Sequence, residues 1–458
     1  MPLGLLVIAV ALSGCAKRAA LEDPFSETRL ERDLRQLVPL VEQAAGRRFV
    51  TPPRVELSSP EVLGKMLREE EELISSVVLR DTPPEVRAEL LERHTQVVDG
   101  GLLGKYGIFE QTLYLCHDAI VQATLQSGHP TSDVDGVAMV VMAHELTHAL
   151  HDQHSDLERI VRGLDDQDAL WAASGTWEGL ATWVAERVAH ELDLDDAFTM
   201  LCALQGWSPR GLSAAGAYPV WATYGRGRDA IAWHYDHGGF DEVWAVADTP
   251  PVTSSGLFRP ERWAEPRAAP DRDYAAILRG TEQLLAKGDW VVGISILGEF
   301  ELRGEAVVAD NEAELDEILG HLTQAWQLDA SRPDRSGSVR LLRFDEPAWS
   351  ERYLQVLGHQ QTAAASMLAD AVGREVEVDV EPFDAVPADA ALLRHARVAG
   401  LGGTLAERHA AWVVRGDTAV IVTAQDYRPG LRLQWTVEEV FRRLDGGADG
   451  DTEGAPTP

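Results

Sequence analysis

Apolar residues recur at helical spacing along most of the first 250 positions. Leu and Val residues three and four apart predict a helix over residues 29–43, and a strand is predicted at residues 54–57 after Pro52 and Pro53. The Ser-Pro-Glu sequence at residues 59–61 is typical of a helix start, and this helix is predicted to reach residue 74. The acidic run at residues 69–72 is predicted to be its solvated face.

The pattern changes at residues 100–116, where Gly, aromatic and β-branched residues predict a β-hairpin. Its second strand, residues 112–116, is either an edge that could pair with an extended peptide or an ordinary internal strand. An apolar run at residues 137–143 then predicts the start of a buried helix. Another long helix is predicted over residues 165–192, and helices continue to residue 246 with breaks at residues 208–209, 217–219 and 238–239.

After a Pro-rich segment at residues 250–270, strand-like and helical patterns alternate. Strands are predicted at residues 291–296, 339–344, 411–414 and 419–423, and helices at residues 312–326, 350–371 and 437–444. A tight hairpin is predicted at residues 415–417. These patterns predict a mostly helical α+β fold with a first domain over residues 29–268, a smaller α+β domain over residues 269–444 and a disordered tail over residues 445–458.

The formal net charge of −33 disfavours some partners. Such a charge repels phosphate backbones, and no basic patch with interleaved aromatic residues offsets it. Nucleic acid is therefore not expected to be a partner.

The N-terminus carries an apolar run that ends in Leu-Ser-Gly-Cys at residues 12–15. This run resembles the lipobox of bacterial lipoproteins, although no Lys or Arg precedes it, and it is too short to span a bilayer. We expect a signal peptide over residues 1–14, lipid on Cys15 and a tether over residues 15–28. The protein would then be attached by its lipid to a membrane of the cell envelope, at the outer membrane or cell surface. Cys116 and Cys202 either pair or remain buried thiols.

The strongest chemical signal is His-Glu-Leu-Thr-His at residues 144–148, an H-E-x-x-H motif. Residues four apart on a helix lie about 40° apart around its axis, so His144 and His148 point the same way, as two ligands of one ion must. Glu145 lies about 100° from His144, beside such an ion, where its carboxylate could take a proton from water. The motif predicts a Zn2+ site.

A catalytic zinc needs a third protein ligand and one open position. His154 has the spacing of the metzincin pattern, but that pattern has Gly where this chain has His151, for which a left-handed turn is costlier. Glu178 lies on the next predicted helix, which Gly175 and Gly179 would allow to pack closely against the first. We favour Glu178 and keep His154 as the alternative.

The segment from His144 to His154, followed by Glu178-Gly179-x-Ala-Thr, resembles a family of largely uncharacterised bacterial and archaeal gluzincin-like proteins, many of them lipoproteins. The resemblance covers residues 30–265 and continues at Tyr224-x-x-Gly and Arg259-Pro. It implies a zincin-like metallopeptidase domain, with the H-E-x-x-H helix after the β-hairpin. It also implies that His144, His148 and Glu178 bind zinc and that Glu145 is the catalytic carboxylate.

The chain departs from this family at two places. Relatives tend to have Ser-Thr-Glu-Gln-x-Leu-His-Pro where residues 253–260 read Thr-Ser-Ser-Gly-Leu-Phe-Arg-Pro, so the Glu, Gln and His are absent. Leu180 stands where an Asp is usual. Arg259 could supply the positive charge of the missing His.

Three hypotheses of function follow. The first is a zinc peptidase that acts on a peptide or protein substrate, with Tyr224, His234 or Arg259 as the additional donor to the oxyanion. The second is a catalytically silent zinc lipoprotein that binds peptide or a partner protein, which the departures at residues 253–260 motivate. The third is a secreted scaffold without metal.

Overall fold

The computed structural model describes residues 25–78, 102–128, 133–204, 218–285, 290–306, 311–332, 335–372, 376–384, 386–400, 403–425 and 430–446. The predicted signal peptide, Cys15, most of the tether and the tail from residue 447 lie outside them. The described residues divide into two compact units, residues 25–266 and residues 267–446.

The first unit is mainly helical, and its helix bounds follow the apolar periodicity closely. Its helices are α1 (Glu27–Ala45), α2 (Pro60–Val78), α3 (His117–Gln126), α4 (Val134–His154), α5 (Leu157–Arg162), α6 (Gln167–Glu191), α7 (Asp195–Leu204), α8 (Tyr218–Trp221), a π-helix (Ala222–Arg226), α9 (Gly227–Asp248), α10 (Ser255–Phe258) and a 3-10 turn (Pro260–Arg262). The predicted helices at residues 29–43, 60–74 and 165–192 are confirmed as α1, α2 and α6.

A small sheet accompanies these helices. Its strands are β1 (Arg54–Leu57), β2 (Gly104–Gly107) and β3 (Thr112–Leu115). β3 lies in the centre, pairing parallel with β1 and antiparallel with β2. The hairpin is confirmed, and of the two alternatives for its second strand the internal strand is the one observed, because the distant β1 pairs with its other side. The hairpin strand at the edge is β2.

Helices α4 and α6 form the centre of the first unit. Both are apolar on most sides, as expected of helices that are surrounded by other elements. α4 buries Val137, Val140, Leu146 and Leu150, and α6 buries a longer set that includes Leu180 and Val184. The two helices pack against each other, α1 packs on both, and α9 packs on α6. The H-E-x-x-H motif is therefore carried by a buried helix.

The break predicted at residues 238–239 is confirmed within α9. Gly239 has a non-helical backbone, with φ of 66° and ψ of −156°, so two helical segments meet at a kink there. Only glycine adopts this conformation at little cost. The helix axis therefore changes direction at this glycine.

The second unit is a seven-stranded antiparallel sheet with helices packed on it. Its elements are α11 (Tyr274–Arg279), α12 (Glu282–Leu285), β4 (Val291–Ile296), α13 (Glu299–Ala306), α14 (Glu312–Gly320), β5 (Leu322–Arg332), β6 (Arg335–Phe344), α15 (Pro347–Val372), β7 (Val376–Pro382), β8 (Ala390–Gly400), β9 (Gly403–Arg415), β10 (Thr418–Gln425) and α16 (Gly430–Gly446). The strand order is β4-β5-β6-β10-β9-β8-β7. One face of the sheet packs on α11 and α16 and the other on α13, α14 and α15.

The second unit corrects one prediction of the helical pattern. Residues 312–326 are helical only to Gly320, and the rest of that stretch begins strand β5. The hairpin at residues 415–417 is confirmed, with Gly416 at a φ of 59°. The fold is α+β and mostly helical, as predicted. No helix within the described ranges combines the length and the apolar character that a membrane crossing requires.

Candidate metal centre

His144 and His148 lie one turn apart on α4, with their rings facing each other. The ring centroids are 4.8 Å apart and the two Nε2 atoms are 3.1 Å apart. Both side chains are partly exposed, at 16% and 18%. The imidazoles therefore aim at one point that solvent can reach.

Glu178 completes the group from α6. Its Oε2 atom lies 3.0 Å from Nε2 of His144 and 3.5 Å from Nε2 of His148. Asp166 caps the start of α6, where its side chain accepts a hydrogen bond from the amide of Ala169, and Glu178 stands about three turns later, where α6 packs against α4. Thus the helix crossing, and not the local sequence, brings Glu178 to the histidines.

This group can hold a metal ion. Ligand atoms about 2.0–2.1 Å from a tetrahedral ion lie about 3.3 Å from one another, and the three distances of 3.0, 3.1 and 3.5 Å bracket this value. Two imidazoles and one carboxylate are also a donor set that zinc accepts. Among the described residues, these three side chains form the group of metal-binding residue types whose ligand atoms all lie within 4.8 Å of one another.

The pKa values of His148 and Glu178 shift because the two side chains lie close together. Burial would raise the pKa of Glu178, but the charge of His148 and hydrogen bonds from both histidines hold that pKa well below the usual carboxyl range. Burial would lower the pKa of His148, and Glu178 raises it above its ordinary value. The carboxylate is therefore ionised and available as a ligand.

Glu145 lies beside the group and is held by the edge strand. Its Oε2 atom accepts a hydrogen bond from the backbone amide of Tyr106 at 2.7 Å. The hydroxyl of the same tyrosine donates to Asp152 at 2.8 Å, two turns further along α4. Tyr106 thus ties β2 to the motif helix at two points, and its amide orients the Glu145 carboxylate.

Tyr224 is the predicted donor that the structure brings to the group. It lies on the π-helix, and its ring centroid is 5.9 Å from that of His144. Burial and the two nearby carboxylates raise the pKa of Tyr224 well above its ordinary value, so the phenol keeps its proton. π-Helical turns are frequent at functional sites.

Among the described contacts of the other two predicted donors, His234 and Arg259, none involves a metal ligand. His234 is buried in contact with Trp263 and lies 3.4 Å from Glu242. Arg259 ends α10, where its amide donates to the carbonyl of Ser255 at 2.8 Å. Its role in the site stays a prediction.

Close helix contact at three glycines determines where Tyr224 lies. A Cβ on Gly227 would meet the carbonyl oxygen of Gly175 at 1.9 Å, and one on Gly179 would meet the backbone of Gly227 at 2.2 Å. The expectation that Gly175 and Gly179 face α4 is wrong, because they face the start of α9 and Leu257. Their lack of side chains lets the π-helix approach Glu178.

The alternative third ligand, His154, stays on α4. The helix is unbroken from Val134 to His154, so His154 lies about 15 Å along the axis from His144. Its Nε2 contacts the carbonyl of Arg48 at 2.8 Å. His151 is fully buried, 3.5 Å from Asp248 and near Trp177 and Trp244.

Lys105 and Glu70 were not singled out by the sequence. The Lys105 ammonium lies 2.5 Å from a Glu70 carboxylate oxygen, and both side chains are largely buried. Glu70 belongs to the acidic run predicted to be solvated, and that prediction is wrong for this residue. A lysine in a short strand gives no sequence signal that would mark it as buried. Only the packing of α2 against β2 in the structure reveals the Lys105–Glu70 ion pair.

Cys116 and Cys202 are free thiols. Cys116 packs with Leu63 and Met66, and Cys202 is buried on α7. The possibility that they pair is therefore not realised.

No family model and no curated protein sequence matches this chain. Among solved structures, it is similar to a provisionally assigned hydrolase with a novel fold from Chloroflexus aurantiacus, at 15% identity and a TM-score of 0.36, over 54% of this chain and 91% of that one. It is also similar to the extracellular domain of PknH from Mycobacterium tuberculosis, at 11% identity and a TM-score of 0.24, over 37% of this chain and 94% of that one. At these scores the likenesses carry no conclusion about function.

Proposed function

We propose that this protein is a zinc-dependent metallopeptidase of the gluzincin type, acting on peptide or protein substrates at the bacterial cell envelope. The observation that carries the proposal is the convergence of His144, His148 and Glu178, with Glu145 next to this group but outside it. Two neutral imidazoles and a carboxylate leave a fourth tetrahedral position for a reactant, which is the pattern of catalytic zinc sites.

The chemistry divides between the ion and the chain. Zinc bound at these ligands would polarise a carbonyl and make water more acidic. Glu145 is the base, because its carboxylate is oriented by the Tyr106 amide and is not a ligand. It accepts a proton from the attacking water and passes this proton to the leaving amine. Tyr224, as a neutral phenol, is placed to donate to an oxygen near Glu178.

The edge strand supports a peptide substrate. Lys105 pairs with Tyr114 and Tyr106 with Leu113, and the Tyr106 amide bonds to Glu145 and not to β3. Because antiparallel residues alternate in hydrogen bonding, the N–H and C=O of Tyr106 point away from β3. Because the Tyr106 N–H already donates to Glu145, an extended peptide would pair with this edge through other backbone groups, such as the Tyr106 C=O. The scissile bond would then pass beside Glu145.

The direct test is cleavage of a mixed peptide library, analysed by mass spectrometry. The full chain loaded with zinc is compared with its Glu145→Gln form, which keeps all three ligands. We expect cuts from the wild type only, lost on chelation and restored by zinc. Identical cuts from both proteins would contradict the assignment of Glu145.

A second candidate is a silent zinc lipoprotein that binds peptide or a partner. The replacement of Glu, Gln and His by Ser255, Gly256 and Arg259 favours it. If neither form cleaves but both bind zinc and the same peptides, this candidate replaces the first.

Attachment to the membrane through Cys15 is a separate proposal. Its test is incorporation of a labelled fatty acid in a bacterial host, compared with Cys15→Ser. Label in the wild type alone supports the lipoprotein, and equal label in both contradicts it.

A further inference from the structure

A cavity of about 460 Å³ lies where the hairpin turn meets the end of α4. Its walls come from the turn that follows β2, from the last residues of α4 and from the residues just after that helix. None of the metal ligands is among the described residues that line it. The cavity is therefore separate from the metal group.

Tyr106 connects this cavity to the proposed base, Glu145. Its backbone amide donates to Glu145 at 2.7 Å, and its hydroxyl donates at 2.8 Å to Asp152, which lines the cavity. At the other end of the strand, a Cβ on Gly104 would meet Val141, so β2 advances alongside α4 in the same direction. The cavity lies at the far end of this strand.

The distance from the base to the cavity matches a short length of extended peptide. Asp152 stands seven residues after Glu145 on α4, which is a helical rise of about 10 Å. An extended chain advances about 3.3 Å per residue. A peptide that follows β2 therefore brings a side chain to the cavity about three residues from the bond beside Glu145.

Asp152 presents a negative charge to the cavity. Within the described residues, its partner is the neutral hydroxyl of Tyr106, whereas Asp156 and Glu158 each lie within ion-pair distance of an arginine outside the lining. Burial and the charges of Asp156 and Glu70 raise the pKa of Asp152, although the hydrogen bond from Tyr106 opposes them. None of the described lining residues is Lys or Arg. A cation entering the cavity would therefore meet a carboxylate that still has acceptor positions.

Phe109 supplies the aromatic part of the lining. It remains 52% exposed, although it belongs to the cavity wall. The face of an aromatic ring attracts an ammonium or guanidinium group, and the long stems of Lys and Arg pack on apolar surface. A ring and a carboxylate in one cavity are complementary to such a side chain.

Resting on the peptidase function proposed above, we propose that this cavity binds a Lys or Arg side chain of the peptide substrate, about three residues from the cleaved bond. The stem of that side chain packs on Phe109, and its cation bonds to Asp152. These two residues determine specificity and take no part in bond cleavage. The substrate class is thus basic peptides that follow the edge of β2.

The test uses peptides that differ only in the charge of one side chain. Each peptide carries an N-terminal acetyl group, so its α-amine is neutral, and a single Arg placed at successive positions. The matched peptide has citrulline, a neutral isostere, in place of Arg. With zinc-loaded full chain, we expect kcat/KM to be about tenfold higher for Arg than for citrulline when that residue lies about three positions from the cut, as for one charged hydrogen bond.

Three variants locate this preference. Asp152→Asn can still accept the hydrogen bond from Tyr106 but should lose the preference for Arg, with citrulline peptides cleaved as by the wild type. Phe109→Leu should reduce the preference about threefold. Glu110→Gln removes a carboxylate from the same turn but outside the lining, so the preference should be unchanged.

Two outcomes would overturn the proposal. The same preference for Arg in wild type, Asp152→Asn and Phe109→Leu would show that the cavity does not bind the cation. An equal loss with Arg and citrulline peptides in Asp152→Asn would give Asp152 a positioning role through Tyr106 and Glu145 instead.

A binding measurement separates this proposal from the peptidase function. Calorimetry compares the Arg and citrulline peptides on zinc-loaded wild type and Asp152→Asn. If no peptide is cleaved but the wild type binds Arg peptides more tightly and Asp152→Asn does not, the peptidase function fails and the cavity proposal stands. If peptides are cleaved without any preference for Arg, the cavity proposal fails and the peptidase function stands.

Discussion

The Arg303 group of the second unit and the His144 group of the first unit hold buried charge in different ways. In the second unit Arg303 is fully buried and bonds to Glu299 at 2.8 and 2.6 Å and to Asp316, so a cation meets two anions. In the first unit His144, His148 and Glu178 all present acceptor or ionisable atoms to one point. That group contains no Lys or Arg of its own.

The difference distinguishes a buried charged group that stabilises the fold from one that can bind a ligand. Buried charge is costly unless it is paired, and the Arg303 group pairs it within the chain. With neutral imidazoles the His144 group carries the negative charge of Glu178, and no Lys or Arg of the group offsets it, so the group favours a bound proton or metal ion. Such arrangements are typical of functional sites.

The largest effect should come from removing a ligand. His148→Ala is expected to abolish stoichiometric zinc binding, a larger loss than the roughly 10–100-fold typical of residues that only support a ligand. Zinc should raise the thermal midpoint of the wild type and not of this variant. Metal content after dialysis and melting with and without zinc check it. His154→Ala is the control, and zinc loss in that variant would contradict the ligand set.

The contrasting change is Arg303→Met. It leaves Glu299 buried without its cation, so we expect a loss of about 3–5 kcal/mol in the free energy of unfolding, with zinc affinity unchanged. Chemical denaturation and zinc titration measure the two quantities. Adding Glu299→Gln should recover much of the stability. A change in zinc affinity would show that the Arg303 group is not purely structural.

A smaller effect is expected at the glycine contact. Gly227→Ala forces a methyl group into the backbone of α6, so we expect a loss of about 1–3 kcal/mol and a displaced Tyr224. Gly293→Ala, where nothing lies within 4 Å of the added Cβ, is the matched control. Denaturation of the two variants compares them, and equal stability would contradict the close contact.

The smallest effect concerns pH. Burial lowers the pKa of His151, although Asp248 opposes it, while His148 and Arg47 act in the same direction as burial. The unfolded chain therefore binds more protons below about pH 6.5. Stability attributable to His151 is complete above that pH and falls as pH drops toward the lowered pKa, by at most about 1.4 kcal/mol per unit.

Denaturation of wild type and His151→Gln at pH 7.5, 6.5 and 5.5 tests this prediction. The variant should lose less stability on acidification than the wild type. His154→Gln, on the exposed end of the same helix, should behave as the wild type does. Parallel pH profiles for wild type and His151→Gln would refute the assignment.

Some of the second unit could have been predicted better. Residues 376–381 alternate strictly as Val-Glu-Val-Asp-Val-Glu, which is the period of a strand, and they form β7. The helix predicted over residues 312–326 failed at its end, because Leu322 and Trp326 fit a helical spacing as well as a strand. Pairing of β5 with β4 and β6 decided between the two.

The candidate site shows the same division. Helical periodicity placed His144 and His148 on one side of a helix, and Glu145 beside them, from spacing alone. Glu178 was one of two possibilities, since 30 residues of chain say nothing about which helices cross. The burial of Lys105 was not predicted, because it depends on an ion pair with Glu70, which lies 35 positions earlier in the chain.

What the sequence by itself determined is therefore local: the buried motif helix, the hairpin before it, the pair of histidines and the acidic character of the chain. These follow from side-chain periodicity and composition, which act over a few residues. Tertiary structure decided the third ligand, the central place of β3, the approach of Tyr224 at Gly227 and the burial of Lys105. Each of these depends on packing between elements far apart in the chain. The stabilising free energy arises only when the two segments meet, so neither segment predicts it alone.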